Sequence, residues 1–93
     1  MQDEVKKSVF DEESNKLIHF CATGDLYNVK KICINPKLDL DVADYDGRTA
    51  IHLAASEGHK NIVEYLIKNG VKEINPIDKF GNTPLDDAKR GGH

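Results

Sequence analysis

The chain repeats itself at a spacing of 34 residues. Residues 44–51 (DYDGRTAI) and residues 78–85 (DKFGNTPL) share aspartate, glycine and threonine at equivalent positions. The same offset pairs Gly24 with Gly58, in a different part of the repeated segment. Separate landmarks at one spacing indicate a tandem repeat, and units of this length bury their apolar faces against their neighbours. The 93 residues are therefore expected to form a stack of small units, not a fold around one central core.

Each unit is predicted to contain two short helices, which makes the fold all-α. Residues 49–57 predict a first helix, in which the adjacent Ala54 and Ala55 allow a second helix backbone to approach closely. Residues 61–69 carry apolar side chains at i, i+1, i+4 and i+5, which is one stripe of a second helix. Gly70 follows at a position where a positive φ is common.

The offset divides the single domain of residues 1–93 into four segments. They are a cap helix over residues 1–13, a degenerate unit over 14–43, a full unit over 44–77 and a truncated unit over 78–93. The last unit stops before its second helix, and stacked repeats need about three units and polar caps for stability. We therefore expect marginal stability or self-association through the unfinished C-terminal face.

A known signature accounts for the repeated residues. Residues 49–59 (TAIHLAASEGH) resemble the ankyrin-repeat signature T-x-L-H-x-A-A-x-x-G-H, and residues 83–85 (TPL) resemble the beginning of that signature in the following unit. The resemblance covers residues 14–93, with Asp86 in place of the signature histidine in the last unit. It implies a solenoid of stacked helix–turn–helix units with projecting finger loops, about two and a half repeats long.

A finer resemblance points to one group of ankyrin-containing proteins. Residues 44–59 and 82–88 are similar to the ankyrin region at the C-terminal end of glutaminases. Residues 20–25 (FCATGD) match a segment that precedes it there. This resemblance implies an accessory region of such an enzyme that carries none of its catalysis.

Charge and composition exclude several classes of partner. Thirteen Lys and Arg against 16 Asp and Glu leave a net charge of −3, which gives no support for binding to nucleic acid or an anionic membrane. No stretch approaches the roughly 20 apolar residues that cross a bilayer, and the first residues lack the pattern of a secretory signal. We expect an intracellular chain, and more specifically a cytoplasmic one.

None of the reactive side chains forms a convincing catalytic or metal-binding constellation. His52 and His59 are seven residues apart and have no cysteine pair nearby, which does not fit a zinc site. The family resemblance implies that both histidines hydrogen-bond to loops and neighbouring backbone. Cys21 and Cys33 fall on apolar stripes and are expected to be buried free thiols. We expect no catalytic residue, no metal site and no cofactor.

The resemblance instead implies a binding surface for another protein. In the ankyrin family, the finger tips and the exposed edge of the first helices line a concave groove. The equivalent residues here are Tyr45, Asp46, Arg48, Ser56, Glu57, Lys79, Phe80, Asn82 and Arg90. Tyr45 and Phe80 are the expected aromatic anchors, and Arg48 and Arg90 are expected to be exposed for bidentate contacts.

Two hypotheses for function are compatible with these residues. The first is a protein–protein interaction module without catalysis, which binds its partner through the finger tips and the groove. The alternative is an accessory or assembly region of a larger enzyme such as a glutaminase.

Overall fold

The computed structural model describes residues 12–93, and these residues form five α-helices joined by loops. The helices are α1 (Glu12–Thr23), α2 (Leu26–Ile32), α3 (Ala50–Ser56), α4 (Lys60–Asn69) and α5 (Pro84–Arg90). No strand is present among the described residues. The prediction of an all-α fold is confirmed. The predicted cap helix lies outside the described residues, except for Glu12 and Glu13 at the start of α1.

The helices lie in two rows. In the first row α3 packs between α1 and α5, and in the second row α2 packs on α4. The pairs α1–α2 and α3–α4 join the rows, as expected for stacked helix–turn–helix units. The first row thus has three helices over residues 12–93, whereas the second row has two. The unit boundaries at residues 44 and 78 stay a prediction.

One apolar core runs between the two rows of helices. Its fully enclosed members include Leu17 and Cys21 of α1, Ala54 of α3, and Ile62 and Leu66 of α4. Leu17 and Cys21, like Ile62 and Leu66, are four residues apart, which places each pair on one face of its helix. Each helix is short, so its stability comes from this shared burial more than from its own hydrogen bonds.

A glycine shapes the turn inside each of the first two units and leaves space for a histidine of the following unit. Gly24 and Gly58 have φ values of +80° and +78°, which residues with a Cβ rarely adopt. A Cβ added to Gly24 would lie 2.7 Å from the ring of His59, and one added to Gly58 would lie 2.5 Å from the ring of His93. The His59 Nε2–H also donates to the carbonyl of Ala22 at 3.1 Å. The glycine therefore provides both the turn and the space for a histidine from the next unit.

His52 connects its own helix to the following unit. Its Nδ1 accepts the backbone N–H of Thr49 at 3.1 Å, and its Nε2–H donates to the carbonyl of Asn82 at 2.9 Å. The expectation that His52 and His59 bond to loops and neighbouring backbone is confirmed. In α5, Asp86 takes the first of these roles, because its carboxylate accepts the Thr83 N–H at 3.0 Å. That hydrogen bond is the main reason why the pKa of Asp86 is lowered.

The two cysteines are free thiols inside the stack. Cys21 is buried, as the sequence predicts, whereas Cys33 is only half-buried. Burial raises the pKa of Cys21 to about 12 and raises that of Cys33 as well. Both thiols therefore stay protonated near neutral pH, where they pack as small apolar groups.

None of the five helices over residues 12–93 combines the length and the apolar character that a membrane crossing requires.

The stacking of α3 can be tested with two adjacent alanines. Ala54 is fully buried, whereas Ala55 is half-buried and borders an open groove beside α5. Ala54→Leu is expected to overpack the helix contact and to lower the free energy of unfolding by roughly 1–3 kcal/mol. Ala55→Leu is the matched control and should change it much less, because its side chain has space. Urea denaturation of both variants measures the difference, and equal losses would contradict this packing.

Candidate protein-interaction surface

Two loops project from the stack with the same backbone geometry. We call residues 44–48 the first finger and residues 78–82 the second finger. In the first finger, Asp44 Oδ1 accepts the N–H groups of Asp46 and Arg48 at 2.9 and 3.0 Å. In the second, Asp78 Oδ1 accepts those of Phe80 and Asn82, both at 2.9 Å. An aspartate that caps its own loop in this way fixes the loop conformation before any partner arrives.

The two fingers are joined to each other at their tips. The N–H of Lys79 donates to the carbonyl of Asp46 at 2.8 Å, and the Lys79 ammonium lies 3.0 Å from the Asp46 carboxylate. Gly47 permits this approach, since a Cβ there would lie 3.1 Å from the Lys79 nitrogen. The fingers therefore form one continuous edge.

The expected aromatic residues lie on this edge, one on each finger. Tyr45 is 91% exposed and Phe80 is 64% exposed. The Lys79 ammonium lies 5.4 Å from the centroid of the Phe80 ring, within cation–π range. The tips thus present two large aromatic groups beside an ion pair whose charges cancel.

The other predicted contact residues are more dispersed. Ser56 and Glu57 lie at the far end of α3 from the first finger, about 10 Å away along seven residues of helix. Asn82 is half-buried, and its carbonyl already accepts the His52 ring N–H. Arg90 is exposed at the end of α5, where its Nη2 lies 3.1 Å from Asp87 Oδ1.

Arg48 differs from the sequence-based expectation. Its Nη1 lies 3.2 Å from Asp78 Oδ2, and its Nη2 lies 2.9 Å from Asp87 Oδ2. The Arg48 side chain is 21% exposed, and both aspartate side chains are 0% exposed. The expectation of an exposed Arg48 guanidinium is therefore corrected, because this group links the first finger to the second finger and to α5.

The two aspartates that contact Arg48, together with His52, have the composition of a metal site. One ligand atom each from His52, Asp78 and Asp87 lies within 4.8 Å of the others, and all three residues are buried. However, both ring nitrogens of His52 already have hydrogen-bond partners. The guanidinium of Arg48 contacts both carboxylates and that of Arg90 contacts Asp87, so two positive charges meet two negative ones. These residues therefore form a buried ion-pair network that links successive units.

Sequence reasoning did not identify Asp87 as the partner of Arg48. One signal was available, because the offset of 34 pairs Asp87 with Leu53. A carboxylate at a position that is apolar in the preceding unit requires a nearby cation when it is buried. Arg48, 39 residues away in the sequence, is that cation.

The ion pairs of Arg48 predict that its removal destabilises the fold strongly. Arg48→Met takes the ion-pair partner from buried Asp78 and leaves buried Asp87 with only the exposed Arg90, and it is expected to lower the free energy of unfolding by roughly 3 kcal/mol. Lys79→Met breaks the exposed pair with Asp46 and should cost at most about 1 kcal/mol. Chemical denaturation at neutral pH compares the two variants. Similar losses would show that burial does not distinguish the two ion pairs.

The hydrogen bonds to Asp78 predict acid sensitivity. The N–H groups of Asn82 and Phe80, together with nearby His52 and Arg48, lower its pKa from the usual 3.8. A pKa lower in the folded than in the unfolded chain stabilises the fold above pH 3.8, and this stabilisation is lost as the pH falls through the folded value. Asp78→Asn should be less stable at neutral pH and lose less stability on acidification, as measured by urea unfolding at a series of pH values. An unchanged pH profile in this variant would contradict the assignment.

Comparison with known proteins agrees with the fold and with the repeated residues. A family model described as ankyrin repeats (3 copies) matches residues 11–93. A putative glutaminase 3 of Caenorhabditis elegans is 35% identical over 79 residues, which cover 85% of this chain and 13% of that protein. The mitochondrial liver isoform of glutaminase from Rattus norvegicus is 38% identical over 79 residues, covering 83% of this chain and 13% of that protein.

A relative outside the glutaminases shares the same region. The 26S proteasome non-ATPase regulatory subunit 10 of Dictyostelium discoideum is 35% identical over 81 residues, covering 87% of this chain and 35% of that protein. The chain spans only 13% of the length of the two glutaminases. The repeat, the paired helices and the family match agree, and this chain belongs to the ankyrin-repeat family.

Proposed function

We propose that the chain is a protein–protein interaction module that binds a partner protein through its fingers and the adjacent groove. The observation that carries the proposal is the pair of exposed aromatic side chains, Tyr45 and Phe80, on two loops that are joined to each other. Large aromatic residues are enriched among the residues that dominate interface energies. Loops already fixed by internal hydrogen bonds lose little entropy on binding.

The charges on the fingers indicate what kind of surface they recognise. Asp46 and Lys79 neutralise each other at the tip, and beneath it Arg48 and Arg90 balance Asp78 and Asp87. The edge therefore offers aromatic area without a strong net charge. We infer a partner surface with apolar pockets spaced for two rings, bordered by polar groups that meet Ser56, Glu57, Asn82 and Arg90. We further propose that the chain carries no catalysis of its own.

A second candidate is an accessory or assembly region of a larger enzyme such as a glutaminase. Its support is the similarity to two glutaminases over 83–85% of this chain. In that role the chain would position or assemble the enzyme, and its partner would be a neighbouring domain or subunit. A cytoplasmic location is part of the first proposal, whereas one glutaminase relative is named as mitochondrial. Imaging of the tagged full-length protein would distinguish the two locations.

The interaction proposal is tested by truncating both aromatic anchors. Tyr45→Ala combined with Phe80→Ala is expected to weaken capture of the partner at least about tenfold, because each anchor contributes on the order of 1–2 kcal/mol. Quantitative mass spectrometry after affinity capture identifies proteins that bind the wild-type chain and are depleted with the double variant. Titration calorimetry with the purified partner then measures the loss.

Tyr27→Ala combined with Ile34→Ala is the matched control, since both residues are exposed and lie on α2 and its following turn, away from the fingers. The control should bind as the wild type does. A partner that binds both double variants equally would refute the finger surface. Stable self-association in light scattering, with no foreign partner, would favour the assembly role instead.

A further inference from the structure

The outer side of the second row of helices is a basic surface in an acidic chain. Helices α2 and α4 together carry four lysines and one glutamate, a net charge of +3, whereas the whole chain has a net charge of −3. All four lysines are exposed, and they are Lys30 and Lys31 of α2 with Lys60 and Lys68 of α4. Within residues 12–93 none of them forms an ion pair. Their positive charge is therefore available to a ligand.

Two of these lysines lie between two exposed apolar side chains on one side of α2. We call Tyr27, Lys30, Lys31 and Ile34 the basic stripe, because the spacing i, i+3, i+4 and i+7 places them on one helical face. Tyr27 is 70% exposed, and Ile34 in the turn that follows α2 is 77% exposed. The intervening Cys33 keeps right-handed helical backbone angles, so Ile34 continues the register. The stripe thus has an apolar group at each end of about 10 Å of helix, with two positive charges between them.

The acidic group nearest to the stripe in the sequence does not neutralise it. The carboxylate of Asp25, which precedes α2, accepts the backbone and side-chain N–H groups of Asn28. These two hydrogen bonds hold the carboxylate at the beginning of the helix as its N-cap. The two lysines lie in the last turn of the same helix. Their charge is therefore separated from that of Asp25 by the length of α2.

Aromatic rings hold both lysine head groups close to the surface. The Lys31 ammonium lies 5.3 Å from the centroid of the Tyr27 ring, and the Lys30 ammonium lies 5.9 Å from that of Tyr65 on α4. Both distances are within cation–π range. Side chains that are restrained in this way lose less rotamer entropy when they bind an anion. The two charges are thus partly positioned before a ligand arrives.

The exposure of this surface does not depend on the number of units in the stack. Val29, Ile62 and Leu66 face the first row and are fully buried, and the basic stripe lies on the opposite side of the second row. A further unit at either end would extend the two rows along the stack. It would not cover their outer side. The stripe therefore stays open to solvent in a shorter or a longer stack.

We propose that the basic stripe binds an acidic helix of a partner protein, in which two adjacent aspartates or glutamates lie between two apolar residues. The order apolar, acidic, acidic, apolar at i, i+3, i+4 and i+7 places each group opposite its complement. This pattern reads the same in both directions, so either orientation of the bound helix fits. A membrane or a nucleic acid meets the field of the whole chain, whose net charge of −3 repels an extended anion. The site shares no residue with the fingers and goes beyond the function proposed for them.

A designed peptide tests this recognition. The probe is a labelled synthetic helix with leucine at positions i and i+7 and glutamate at i+3 and i+4, held helical by a side-chain lactam on its opposite face. Fluorescence anisotropy with the whole chain is expected to show saturable binding. The binding should weaken as NaCl rises from about 0.05 to about 0.5 M, because salt screens the charges. Lys30→Gln combined with Lys31→Gln should weaken it about fivefold or more at low salt and reduce its salt dependence.

Three controls isolate the stripe. Lys16→Gln with Lys89→Gln removes the same charge from exposed lysines of the first row and should leave peptide binding nearly unchanged. Tyr45→Ala with Phe80→Ala should also leave it unchanged, which distinguishes this site from the fingers. A peptide with glutamine in place of both glutamates should bind the wild-type chain more weakly and with little salt dependence. Circular dichroism checks that each protein variant retains its helices.

An absence of saturable binding up to about millimolar protein would overturn the proposal. Equal binding of the peptide by the wild type and by the Lys30→Gln, Lys31→Gln variant would also overturn it. Vesicles that contain phosphatidylserine and a single-stranded oligonucleotide complete the test, and neither is expected to bind at physiological salt. If either one bound through the two lysines more tightly than the peptide does, the assignment to an acidic protein helix would be wrong.

Discussion

Burial between successive units is the constraint on which the rest of this structure depends. No single pair of helices encloses its own apolar face, so Leu17 and Val29 of the first unit become fully buried only beneath helices of the next. Stability in such a stack is a sum of contacts between neighbours. A given register position is thus fully buried in one unit and only half-buried in another. Val29 and Val63 differ in exposure for this reason, although their chemistry is identical.

Polar contacts set how the units align, and they also act between neighbours. His52 reaches the carbonyl of Asn82, His59 reaches that of Ala22, and Arg48 reaches two aspartates of the following unit. A buried charge is costly unless it is paired, so the Arg48 network tolerates only one arrangement of the second finger and α5. The position of the second finger depends on this network, because Asp78 both caps that finger and accepts a hydrogen bond from Arg48. The finger edge is thereby fixed by the buried ion pairs beneath it.

The sequence predicts the helices well because their signals are local and repeated. Gly58 and Gly70 mark turns with positive φ, and the offset of 34 aligns the two fingers residue by residue. The exposure of Arg48 could not be predicted in this way. It depends on Asp87, which comes from a helix 39 residues later and replaces an apolar residue of the preceding unit. The pairing that buries Arg48 is a contact in space with no counterpart in the repeat pattern.

Burial between neighbouring units also explains why the fingers and the apolar groove beside α5 differ in chemistry. The fingers project from the stack, so their side chains cannot gain burial from a neighbouring unit and are held by backbone hydrogen bonds instead. The groove beside α5 has the opposite character, since its apolar lining belongs to the stacking pattern. The fingers therefore hold the exposed rings of Tyr45 and Phe80 in fixed positions.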